Sequence, residues 1–218
     1  EMSEKEVCDR MISCMDYLNC IESNARNPLS YAHIIRQARD KDQEERLREM
    51  QLDEIAKNLI FAKTYDVTPD QVVSKIKTEK RKNKDLGLVV IDYLTLLDLD
   101  SEKVSSENRA LAVGKATRRL KTVALQTGVD ILAVCQLNRG VEMRDNKRPM
   151  LSDLRESGRI EEDADVVIMN FWPYYYDKEA DPLLYEYAVV KNRQGATGTC
   201  NATFAAQFYA MLDSMSQL

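Results

Sequence analysis

Apolar residues fall along this chain in two kinds of pattern. Between residues 87 and 137, two short continuous apolar runs, GLVVIDYLTLL and VDILAVCQL, flank the stretch SSENRALAVGKATRRLKTVALQTG. Such runs predict strands buried on both faces, and the stretch between them carries the helical period. In that helix Val113, Ala116, Leu120, Val123 and Ala124 form the apolar stripe. Lys115, Arg118 and Arg119 fall on another side, and Gly128 supplies the stop. Strand, helix, strand predicts an α/β fold with a mostly parallel twisted sheet flanked by helices. Further on, ADVVIMNFW predicts another buried strand, and LLYEYAVVKN and GTCNATFAAQF alternate as antiparallel strands at the C-terminal edge.

Upstream the pattern is helical. Ser3 with Glu6 forms a capping box, followed by Val7, Met11 and Met15 at i, i+4 and i+8. A break at NARNPLS precedes a second helical stretch in which RQARDKDQEERLREM alternates charge signs and predicts a solvated helix face. NLIFAK predicts a short strand before a helix that opens at Thr68-Pro69-Asp70, with Thr68 as N-cap. No linker or internal repeat divides the chain, so residues 1–218 are expected to form one domain.

Composition then removes several classes. No apolar run approaches the roughly 20 residues of a membrane helix. The opening EMSEKEV lacks the basic and apolar regions of a secretory signal, so a cytoplasmic protein is expected. The five cysteines (Cys8, Cys14, Cys20, Cys135, Cys200) include no C-x-x-C pair, and His33 is the single histidine. A structural zinc set is therefore not expected; reduced, mostly buried thiols are. His33 in YAHIIRQA reads as an ordinary helix histidine. The net charge of −5 gives no hint of nucleic-acid binding, so a binding surface would have to come from a local cluster.

Two residues end the central strands. In α/β sheets ligands collect at the carboxyl ends of strands, where Asp92 could hold a magnesium ion carried by nucleotide phosphates. On the residues alone, a hydrogen-bonded structural aspartate stays open. Gln136 ends the next run, as a phosphate-sensing amide or a polar strand terminus. Beyond it, Arg139, Arg144, Lys147, Arg148, Arg155 and Arg159 lie within 21 residues of expected loop. They read as a phosphate-contacting surface or as a solvated loop, and Gly158 would let backbone approach a nucleic-acid strand.

The order VVIDYLTLL, SSENRA, CQLNRGVEMRDNKRPMLSDLRESGRIEEDADVV and VVKNRQGATGT resembles the C-terminal motor domain of DnaB-like replicative DNA helicases, phage versions included, over about residues 1–210. The resemblance implies a RecA-like ATPase fold and a hexameric ring. That ring hydrolyses ATP or another nucleoside triphosphate with Mg2+ and unwinds DNA 5′ to 3′ by pulling single-stranded DNA through its centre. Asp92 matches the Walker B aspartate, and Gln136 the glutamine that couples nucleotide state to the DNA loops. Arg155, Glu156 and Gly158 match the central DNA loop. Lys191 and Arg193 match the lysine and arginine finger that reach a neighbour's nucleotide. Glu1 matches the catalytic base. Self-association as a ring is implied, with a helicase loader and primase contacted largely through segments absent from these residues.

The family's phosphate loop, G-x-x-x-x-G-K-[ST], occurs nowhere in the 218 residues. The chain is therefore expected to be a piece that starts inside the motor domain, lacks the phosphate-loop part and has no ATPase activity alone. Thr95, Gln194 and Ala196 also depart from the family pattern. Other readings are a RecA-like recombination or repair ATPase, against which SDLRESG counts, and a natural non-catalytic regulator of helicase rings.

Overall fold

The computed structural model describes residues 2–50, 57–62, 67–94, 97, 106–154 and 158–213. In chain order the helices and strands are α1 (Glu4–Ser23), α2 (Tyr31–Arg36), α3 (Lys41–Glu49), α4 (Pro69–Lys82), β1 (Leu88–Ile91), α5 (Ser106–Thr127), β2 (Asp130–Ala133), α6 (Gly158–Asp163), β3 (Val166–Phe171), α7 (Pro173–Tyr176), β4 (Leu184–Asn192), β5 (Gly198–Ala205) and β6 (Ala210–Asp213). Strands β1 and β2 pair in parallel, Leu88 opposite Asp130 and Ile91 opposite Ala133. The remaining strands follow the order β3-β4-β5-β6, with β5 and β6 antiparallel. The chain separates into two compact units: Glu1–Lys63, Trp172–Tyr187 and Cys200–Leu218 in one, Thr64–Phe171 and Ala188–Thr199 in the other.

In the first unit, α1 starts at the Ser3–Glu6 capping box with both of its hydrogen bonds made. Its buried stripe differs from the one expected. Ser13, Asp16, Tyr17 and Cys20 are buried, while Val7, Met11 and Met15 are half-buried. Tyr17 stacks on Phe208 at 4.3 Å beside Ala205 and Ala210. Two polar groups can be buried with it because each is satisfied. Ser13 Oγ donates to the Leu29 carbonyl at 2.8 Å, and Asp16 accepts from the Leu29 N–H at 2.6 Å.

The charge run is not a single solvated helix. Gln37 takes a left-handed conformation (φ 53°) that closes α2, and Asp40 then caps α3 through a reciprocal capping box with Gln43. Gln43 is buried. Arg46 turns inward to Asp16, Nε to Oδ1 at 2.8 Å and Nη2 to Oδ2 at 3.2 Å. NLIFAK also departs from expectation: residues 59–62 form no strand, and Leu59, Ile60 and Phe61 are exposed. Among the described residues no strand pairs with this segment, so its backbone groups have no ladder to join. The thiols are less buried than expected, since only Cys20 is buried and Cys200 is exposed.

In the second unit, α4 starts as expected, with Thr68 accepting from the Gln71 N–H and Pro69 in the first turn. The stripe of α5 is also as expected: Val113, Leu120 and Val123 pack with Ile76 of α4 and Ile91 of β1. Gly128 stops the helix with φ 65°. At Gly114 a Cβ would stand 2.2 Å from Arg159 Cδ, so the glycine lets α6 lie directly on α5. The two central strands are shorter than their apolar runs, and only one of their faces is covered. Val89, Ile91 and Ile131 face the helices, while Leu88 (55%), Val90 (56%) and Leu132 (52%) are exposed. Strand β3 alternates in the same way, with Val167 and Met169 buried and Val166 and Ile168 exposed. The described helices pack on one side, so an apolar run that suits burial on both faces is buried on one.

Candidate functional site

The site is built on the carboxyl ends of β1 and β2. Beyond Ile91 the two chains stay registered: the Val134 N–H donates to the Ile91 carbonyl and the Leu94 N–H to the Val134 carbonyl, both at 2.9 Å. Leu94 is fully buried, which anchors the chain just past the strand. Asp92 lies between these anchors and is exposed, and the Asp92–Tyr93 peptide bond is cis. Gln136, also exposed, follows β2 at the same edge. Thus an anionic and an amide side chain share the rim of a two-strand parallel pair. A solvent-facing carboxylate of this kind suits magnesium, which keeps several waters and takes one or two carboxylates plus substrate phosphates.

The loop beyond Gln136 is held mainly by its own side chains. Asp153 forms a paired ion bridge with Arg144, Nη1 to Oδ1 at 3.2 Å and Nη2 to Oδ2 at 2.8 Å, and accepts from the Met150 N–H at 2.7 Å. Its carbonyl receives the Asn138 N–H at 3.0 Å. Lys147 caps the carbonyls of Glu142 and Arg144 at 2.8 and 2.6 Å, and the Arg148 guanidinium stands 4.9 Å from the Phe171 ring centre. Of the six cations expected to form a phosphate surface, Arg144 and Lys147 therefore fold the loop. The signal for this lay in the SDL block itself, since a carboxylate within ten residues of an arginine in a loop often closes it.

Gly158 opens α6. Glu1, Arg155 and Glu156 lie outside the described residues, as does Thr95. Lys191 and Arg193, at and just beyond the end of β4, are not brought to Asp92 or Gln136; both engage the last turn of α6. Lys191 Nζ donates to the Glu161 carbonyl and Arg193 Nη2 to the Glu162 carbonyl. The Arg193 N–H donates to the Asp165 carbonyl at 2.9 Å, and its Nη1 lies 3.4 Å from Asp165 Oδ1. Cations at a helix C-terminus satisfy carbonyls that have no partner within the helix.

Two carboxylates in this corner escaped the sequence reading. Asp163 accepts from Thr117 Oγ1 at 2.8 Å and Arg118 Nη1 at 3.2 Å, tying α6 to α5. Asp165 pairs with Lys121 as well as Arg193. The Lys121 ammonium, helped by Arg193 and Lys191, holds the Asp165 carboxyl below the usual aspartate range. No sequence signal joins Asp165 to Lys121, 44 positions away, although the D-A-D spacing could have marked both carboxylates.

No helix among the described residues is long and apolar enough to cross a membrane. Residues 1–213 match the family described as the DnaB-like helicase C terminal domain. Among curated relatives, "Replicative DNA helicase DnaC" of Bacillus subtilis (strain 168) is 41% identical over 147 residues, covering 66% of this chain and 32% of that protein. "Probable replicative DNA helicase" of Trieres chinensis is 38% identical over 175 residues, covering 75% of this chain and 38% of that one. This chain spans about a third of the length of the curated relatives it matches. Among solved structures, "The Structure Of A DnaB-Like Replicative Helicase And Its Interactions With Primase" superposes with a TM-score of 0.84 at 31% identity, covering 98% of this chain and 48% of that one. A second solved structure, of an isolated ATPase domain, gives the same score and identity and is itself covered to 72%.

Proposed function

Because the chain belongs to the DnaB-like helicase C-terminal domain family, we propose that it supplies the motor of a cytoplasmic replicative DNA helicase, a hexameric ring that hydrolyses ATP between subunits and unwinds DNA 5′ to 3′. The observation that carries this reading is the pairing of an exposed Asp92 with Gln136 on one rim of the β1–β2 pair. There Asp92 would hold the magnesium of a bound triphosphate, and Gln136 would report the γ-phosphate to the loop that begins two residues later. Glu1 would serve as base for the attacking water. Lys191 and Arg193 would be delivered to the triphosphate of the adjacent subunit, where positive charge stabilises the transferring phosphoryl group. Arg155, Glu156 and Gly158 would follow the backbone of single-stranded DNA. Loader and primase are the partners expected of such a ring.

The test is unwinding of a 5′-tailed fork by the full-length protein, run beside a strand-exchange assay. Unwinding supports the reading, and strand exchange without unwinding sinks it. In the same protein Arg155→Ala is expected to weaken single-stranded DNA binding and to lower the slope of log K against log salt by about 0.7, the value for one lost phosphate contact. An unchanged slope would make Arg155 structural.

These 218 residues hold no G-x-x-x-x-G-K-[ST] motif, whose backbone amides and lysine cradle the triphosphate. The polypeptide by itself is accordingly expected to show no magnesium-dependent ATP turnover above a buffer blank. Steady turnover that co-purifies with the chain through two columns would refute this.

A further inference from the structure

Helix α6 has one end in each half of the proposed machine. Its first residue, Gly158, belongs to the segment assigned to DNA, and its last-turn carbonyls, on Glu161 and Glu162, are held by Lys191 and Arg193. The helix is six residues long, so carbonyls so near its end have few partners of their own. The two cations that must reach a neighbouring subunit's triphosphate therefore serve, in this conformation, as the C-terminal cap of the helix that leaves the DNA loop. One carboxylate sets how firmly they stay. Asp165 faces Arg193 on one oxygen and Lys121 of α5 on the other, and its carbonyl accepts the Arg193 backbone N–H.

We propose that Asp165 is a positioning residue that parks Arg193 on the end of α6, in competition with the neighbouring subunit's triphosphate, and that Lys121 weakens the parking by sharing the same carboxylate. This rests on the assignment of Arg193 as a finger. Arg193 cannot make its bonds to Asp165 and α6 and also reach another subunit. Its delivery therefore costs whatever those contacts are worth, and anything that displaces α6 changes that cost. DNA drawn against residues 155–158 pulls on the first turn of the helix whose last turn holds the finger. Binding of DNA and release of Arg193 are then linked, and linkage works in both directions. The Asp165–Arg193 pair is half-exposed, so the expected effect is a bias on the equilibrium and not a lock.

The experiment uses the full-length protein and three variants. Asp165→Asn keeps the shape and removes the charge that Arg193 faces. It is expected to raise ATP turnover without DNA about three- to fivefold, the range an exposed pair can supply, with the DNA-saturated rate within about twofold of wild type. Lys121→Gln leaves Asp165 to Arg193 alone and is expected to move the DNA-free rate the opposite way. Asp165→Glu should restore the wild-type ratio of the two rates. A reading independent of turnover comes from linkage: Asp165→Asn is expected to bind single-stranded DNA about three- to fivefold more tightly without nucleotide, measured by fluorescence anisotropy.

Equal loss of both rates in Asp165→Asn, or shifts of the same sign in Asp165→Asn and Lys121→Gln, would overturn the proposal by making Asp165 merely structural. Unchanged rates and affinity would overturn it as well. If Arg193→Ala retains normal turnover, the finger assignment has failed, and that outcome is read separately from the other three variants.

Discussion

Arg193→Ala in the full-length protein is expected to reduce DNA-stimulated ATP turnover by roughly 10³-fold or more while leaving nucleotide affinity within about twofold. The asymmetry follows from what the side chain would touch. A finger contributes where charge develops on the transferring phosphoryl group, so its loss appears in kcat and hardly in ground-state binding. Arg193→Lys should fall between the two, because an ammonium keeps the charge and loses the guanidinium fork. The finger acts on another subunit, which gives the assignment a second signature. Rings assembled from equal parts of Arg193→Ala and Asp92→Asn protein, each inactive alone, should recover hydrolysis at about a quarter of their interfaces, where an intact Asp92 meets an intact Arg193. Recovery measured over a mixing series establishes action between subunits. Normal turnover in Arg193→Ala, or mixtures no better than their parents, removes the assignment.

Asp16→Ala is expected to be the most damaging single change to the first unit, at about 3–5 kcal/mol. Asp16 is 1% exposed and serves three elements at once: it sits on α1, takes the Leu29 N–H from the turn, and takes two guanidinium N–H groups from Arg46 on α3. Arg46 also donates to the Asn27 carbonyl at 3.0 Å, where Gln43 Nε2 donates too at 3.2 Å. Truncating the carboxylate leaves a largely buried guanidinium and a buried N–H with nothing to bond, which costs more than the pair contributes when intact. Amide exchange over residues 13–46 should accelerate by about 10²- to 10³-fold. Replacing both partners, Asp16→Leu with Arg46→Met, should recover most of the loss, since an apolar pair of similar volume needs no partner. An exchange pattern in Asp16→Ala like that of wild type would show that the contacts with Arg46 and Leu29 contribute little.

The two sites differ in how much of them could be read from sequence, and range along the chain explains it. Local chemistry was legible: the Ser3–Glu6 box, Thr68 with Pro69, the α5 stripe and the stop at Gly128 depend on neighbours within about four residues. The rim of Asp92 and Gln136 was legible for a related reason, because a polar residue that ends an apolar run marks the strand's carboxyl end. The Asp16–Arg46 pair was not, because opposite charges 30 residues apart on separate helices leave no spacing to detect. The same holds for Asp165 and Lys121. The α3 run looked solvated since charge alternation alone cannot say which arginine turns inward. Where the basic loop was read as free to meet phosphate, Asp153 had already claimed Arg144.

The face of β1 and β2 that carries Leu88, Val90, Leu132 and Val134 has a consequence for any bench work with this polypeptide. Contacts to a phosphate backbone loosen steeply as salt rises, whereas apolar surfaces are driven together by sulfate and similar ions. The wash that strips contaminating nucleic acid from a preparation is thus the one that pushes these uncovered valines and leucines onto one another. Chloride at modest strength, with nuclease doing the stripping, would separate the two effects that a sulfate step confounds.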